Sequence, residues 1–119
     1  MDYLRQLASE VPTLNERFNR CLQDWGNETP PVTIIFAEVG EAIVENFATI
    51  HGEARKKIFI LIENGMTSSN LGVKTAVATG LVEAMVAGAD KKPDLWVEFK
   101  KLFGAASLKH AEAWLTFGR

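Results

Sequence analysis

Cysteine is almost missing from this chain. Cys21 stands alone, so no intramolecular disulfide can form, and the count fits a reducing compartment. Histidine is nearly as scarce. His51 and His110 lie far apart in sequence, and with one cysteine they do not make zinc-ligand spacing. Basic charge shows no excess: 13 lysines and arginines against 15 acids leave a net −2, which lends no support to nucleic-acid binding. No uninterrupted run reaches the ~18 apolar residues of a membrane span. The start, MDYLRQLASEVP, opens with an acid and has no long apolar stretch, unlike a secretory signal. These gaps point to a cytoplasmic protein whose partner is neither nucleic acid nor membrane.

What remains is ordinary globular material. The 119 residues suffice for one domain, 1–119, with a real core. Apolar residues make up 47% and charged residues 24%, a balance unlike that of a disordered tail. Helical periodicity recurs throughout and strand alternation almost nowhere. Tyr3, Leu4 and Leu7 share one side of a short first helix. Pro12 suits the first turn of a second, whose apolar line is Leu14, Phe18, Cys21, Leu22 and Trp25 and which ends at Gly26. A third helix runs from Pro31 to about Ile50, although its opening, VTIIF, also fits a strand. After His51-Gly52, EARKKIFILIEN forms a fourth, stopped by Asn64-Gly65. TSSN offers caps for a fifth, from about Leu71 to Ala89. DLWVEFKKLF and SLKHAEAWLTF supply the sixth and seventh, with Ser107 as the last N-cap. Short connections favour antiparallel neighbours. The expected fold is therefore all-α, a single domain of six to seven helices packed as antiparallel hairpins, with the third and fifth central.

Charge is unevenly spread along this array. Residues 1–50 hold eight acids and three basic residues, whereas residues 91–119 hold six basic residues and three acids. In FAEVGEAIVENF, Glu38, Glu41 and Glu45 stand three and four apart, on one side of a helix. Phe36, Val39, Ile43, Phe47 and Ile50 fall almost opposite. Like charges so placed cost a few tenths of a kcal/mol per pair. A hard metal needs enclosing oxygen ligands, and acid–base catalysis needs two carboxylates in unequal surroundings. This stretch supplies neither, so no metal and no cofactor are expected. Two readings of the ridge stand: a solvated helix face, or a surface for a basic macromolecular partner.

No catalytic residues emerge elsewhere, and the chain does not read as an enzyme. Cys21 lies within an apolar helical line and reads as a small core residue. Gly72, Gly80 and Gly88 recur every eight residues without a phosphate-loop pattern, which suits close helix packing. Glu83 is the exception. It is the only charge between Lys74 and Asp90, in a helix apolar on nearly every side. A buried carboxylate must be paired, hydrogen-bonded or protonated. A helix terminus or the indole N–H of Trp96 or Trp114 is the expected partner.

Thr79-Gly80-Leu81-Val82-Glu83, then Phe103-Gly104, Ser107-Leu108 and Trp114, together resemble a family of small all-helical bacterial proteins. The likeness lies mainly over residues 70–119, with Phe103 where the pattern has leucine. Members resemble immunity proteins of bacterial toxin systems, including contact-dependent growth inhibition, which protect their producer by binding the toxin domain. The resemblance implies a protein–protein binder without an active site, whose partner is a cognate toxin domain. Many such toxins are nucleases, whose basic surfaces attract phosphates and would equally attract an acidic helix face. Glu38, Glu41 and Glu45 then become partner-binding residues. The alternative is a helical adaptor that takes a peptide or protein in an apolar groove. A small enzyme built around Glu83 is the third reading.

Overall fold

Seven helices and no strand make up residues 1–117, the part of the chain described by this computed structural model. Helix α1 (Asp2–Ala8) buries Leu4 and Leu7. Helix α2 (Pro12–Trp25) starts on a proline, whose missing N–H costs nothing in a first turn. It ends at Gly26 with φ +59°, a left-handed backbone that side chains avoid.

Helix α3 (Val32–Asn46) follows and passes into a 3-10 turn at Phe47–Thr49, short of the expected end at Ile50. VTIIF is therefore helical. Ile35 and Phe36 are adjacent and both buried while Val32 and Ile34 are exposed, a pattern no period-2 strand gives.

Helix α4 (Gly52–Met66) runs straight through Asn64-Gly65, where the sequence suggested a stop. Gly65 serves packing instead: a Cβ there would lie 2.7 Å from both the Tyr3 hydroxyl and a Val77 methyl. The same hydroxyl donates to the Leu61 carbonyl at 2.6 Å, pinning α1 to α4. Burial there pushes the Tyr3 phenol far above its ordinary ionisation range.

Helix α5 (Leu71–Ala89) is capped by Asn70, whose side chain accepts from the Val73 N–H at 3.1 Å. Its middle, Val77–Val82, is wound as π-helix. Helices α6 (Pro93–Leu102) and α7 (Ala105–Phe117) complete the fold. Ser107 is thus the third residue of α7 rather than its cap.

The centre is the α3–α5 contact, and glycine sets its closeness. Added Cβ atoms would meet the Leu81 carbonyl oxygen at 2.6 Å from Gly40, Phe36 Cβ at 2.7 Å from Gly80, and Val44 at 2.9 Å from Gly88. Residue numbers rise together along both helices, so the two run in the same direction, with α4 carrying the chain back between them. Gly72, the first of the eight-residue series, is exposed and takes no part.

Among the described residues, α5 is long and apolar enough by length and composition to cross a membrane. The count of uninterrupted apolar residues overlooked it because Lys74 and Glu83 break the run. Its apolar sides are occupied by the protein itself, since Val77, Leu81, Val82, Met85, Val86 and Ala89 are all buried. Beside this pair, Phe47, Phe59, Phe99 and Phe103 form an aromatic cluster with centroids 5.2–6.4 Å apart. The Arg55 guanidinium lies 4.0 Å above the Phe47 ring.

Candidate functional site

Glu38, Glu41 and Glu45 do share one face of α3, and a fourth residue joins them. Arg17 of α2 reaches across the antiparallel α2–α3 contact into the middle of the ridge. Its guanidinium lies 3.2 Å from Glu38 and 3.9 Å from Glu41, and it also pairs with Glu45. Partial desolvation works against the Arg17 charge, but hydrogen bonds and attraction from Glu38 and Glu45 outweigh it and raise its pKa. A cation therefore already sits where a metal would have to go.

One guanidinium does not balance three carboxylates. Side-chain exposure is 37% for Glu38, 55% for Glu41 and 57% for Glu45. Burial, followed by repulsion from Glu38 and Glu45, holds the Glu41 carboxyl above its usual range despite Arg17. Glu41 and Glu45 also line an open groove of about 390 Å³ between α3 and α5, floored by Val44, Ala84, Ala87 and Gly88, with Lys92 at its end. A second groove on the far side of Val44 adds Asp94 and Glu98 to Glu45, with Lys92 and Arg55 interspersed. Cys21 borders the Arg17 side. Burial pushes its thiol up, and Glu38 and Asp24 push it further, so it is an inert core group.

Glu83 is largely but not fully buried, and it has a hydrogen-bond partner. Its side chain is 25% exposed, because the side of α5 that carries it faces α7 at the molecular edge. Its partner is neither indole but His110, with Nε2 2.8 Å from the carboxylate. His110 and Trp114 are half-buried at the rim of the core, whereas Phe117, on the same side of α7, is 87% exposed. Glu83→Ala should cost about 1 kcal/mol, the usual worth of a partly exposed charge-assisted contact. A thermal melt identical to wild type would show that the pair contributes nothing.

The polar contact that the sequence hid altogether is made by Glu63. Its carboxylate accepts from the Ala106 N–H at 3.0 Å, the Ser107 N–H at 2.9 Å and the Ser107 hydroxyl at 2.7 Å. It caps α7 from α4. Burial raises the Glu63 pKa, but these three hydrogen bonds prevail and hold it below the ordinary range. Gly104 makes the approach possible, since a Cβ there would lie 2.4 Å from the Glu63 carboxyl carbon. The Gly104-x-x-Ser107 spacing is thus the receiving half of an interhelix cap. Its one outward sign in sequence is a helix start with no carboxylate or amide of its own.

Taken together these features define a small all-α domain held by interhelix polar clamps, with one acidic face left open. The chain belongs to the DUF7674 family, a domain of unknown function, whose model matches residues 4–117. No curated protein and no solved structure matches it.

Proposed function

We propose that this domain binds a basic protein surface on the acidic face of α3, and that it acts in the cytoplasm as an immunity protein neutralising a cognate toxin domain. The observation that carries the reading is the imbalance at Arg17: one guanidinium among three carboxylates, two of them more than half exposed. An incoming arginine or lysine would relieve the repulsion that Arg17 leaves, and negative potential over the face would speed encounter. The partner is a protein rather than nucleic acid, given the net −2. Neutralisation by binding needs no catalytic group. The immunity setting itself rests on the resemblance carried by Thr79–Glu83, Phe103-Gly104, Ser107-Leu108 and Trp114.

Arg17 also dictates the test. Reversing all three glutamates to lysine would gather four cations and strip Arg17 of its partners, confusing binding with stability. Neutralising Glu41 and Glu45 to glutamine keeps the Arg17–Glu38 pair. The double variant should associate several-fold more slowly with the toxin domain encoded immediately upstream of its gene, and should protect cells poorly. The difference should shrink toward 1 M salt, where the Debye length falls to ~3 Å. Unchanged kinetics at low salt would make this face mere solvated surface.

A second reading, the adaptor, has one observation in its favour. Val32 and Leu71 are 51% and 73% exposed and border a shared groove with Thr75 and Ala76. Aspartate at both positions would abolish binding by an apolar groove and leave binding at α3 intact.

A further inference from the structure

Away from the acidic face, two lysines and a histidine gather around an apolar hollow. Lys74 of α5 with Lys109 and His110 of α7 line an open pocket of about 390 Å³, with Met66, Ala106 and Ala113 as its apolar wall. Among the described residues neither lysine has an ion-pair partner. Of the neighbouring acids, Glu83 is bonded to His110 and Glu63 to the first turn of α7, while Glu112, one turn from Lys109, is exposed and makes no ion pair with it. The carbonyl end of α4 reaches the same rim at Thr67, but a helix terminus carries only about half an elementary charge. The Thr67 hydroxyl further satisfies the Glu63 carbonyl at 2.9 Å. Both lysine ammonium groups are thus left unpaired at the rim of the hollow.

We propose that this pocket binds a small amphipathic carboxylate, with its head between Lys74 and Lys109 and its short alkyl chain on Met66, Ala106 and Ala113. Phosphate is the poorer fit. Phosphate sites draw on clustered backbone N–H groups or a forked guanidinium, and here the Ala106 and Ser107 amides are spent on Glu63. No arginine lines the pocket. Two lysines are compact point charges suited to a single negative head. Glu83 fixes the imidazole of His110, so this wall of the pocket keeps one shape. None of these residues belongs to the acidic face, so this site and the proposed partner surface stand or fall separately.

Titration of isotope-labelled protein with octanoate, monitored through backbone amide signals, tests the site. Octanoate should give saturable shifts confined to residues 66–74 and 105–113. Acetate lacks the tail and octanol lacks the charge, so each should bind more weakly. Lys74→Ala with Lys109→Ala, both at exposed positions, should weaken octanoate about tenfold, the loss of one charge-assisted contact, and leave octanol unchanged. Ala113→Phe, which fills the apolar wall from an exposed position, should abolish binding of both. Equal affinity for octanoate and octanol, an octanoate affinity insensitive to the lysine pair, or shifts spread over the whole surface would each overturn the proposal.

Discussion

Gly40→Ala should cost about 1–3 kcal/mol, the range for forcing an extra methyl group into a packed interior. The new Cβ would lie 2.6 Å from the carbonyl oxygen of Leu81, a backbone atom that cannot swing aside, and 3.2 Å from the Ala84 methyl. Relief requires α5 to move off α3, and the two other close approaches, at Gly80 and Gly88, would loosen with it. In a thermal melt this amounts to about 4 °C for each kcal/mol in a domain of this size. Gly52→Ala is the control. A Cβ at Gly52 meets nothing within 4 Å, so that variant should match wild type or exceed it slightly. Equal melting of the Gly40 variant and wild type would mean that α3 and α5 do not touch as described.

Glu63→Ala should have a comparable effect, about 2 kcal/mol, because it strands three donors at the start of α7 at once. The dependence on pH follows from the lowered pKa. A carboxyl held below its unfolded value contributes fully above the ordinary glutamate range and loses that contribution as pH falls through the folded value. The gap between wild type and the alanine variant should therefore be widest near neutrality and narrow below about pH 4. Gly104→Ala should reproduce the loss with Glu63 still present, since the added methyl displaces the carboxylate. Melting of Glu63→Ala at pH 7 indistinguishable from wild type would remove the interhelix cap from the account of stability.

The helices themselves were legible because burial on one side repeats with helical period. Leu14, Phe18 and Cys21 in α2, and Phe36, Val39, Ile43 and Phe47 around α3, are all buried as the spacing required. Short-range punctuation misled where packing overrode it. Asn64-Gly65 reads as a stop, yet Gly65 lies inside α4 to make room for Tyr3 and Val77. Ser107 reads as a cap, yet the capping atoms come from a residue 44 positions earlier.

The same distance in sequence hid Arg17 from the acidic ridge. Its three partners lie 21 to 28 residues away, and nothing in NERFNR distinguishes it from Arg20. Glu83 was recognised as needing a partner from its apolar surroundings. Which partner depended on how α7 crosses α5, and helical period does not encode crossing geometry.

The π segment in α5 carries a consequence of a different kind. A π turn holds one residue more than an α turn, so Val77–Val82 acts as a phase shifter between the two halves of a single rod. The first half is indexed to α4 through Val77 on Gly65, and the second to α3 through Gly88 on Val44 and to α7 through Glu83 on His110. Six residues of π winding advance the chain about as far around the axis as five of α-helix, so winding Val77–Val82 as uniform α-helix would turn the second half by about 100° relative to the first. Gly88 and Glu83 would then face the wrong neighbours although no contacting residue had changed. Deleting one residue within these six positions would instead return the segment to α-helix with both halves still in phase, so a single deletion is absorbed here better than anywhere else along the rod.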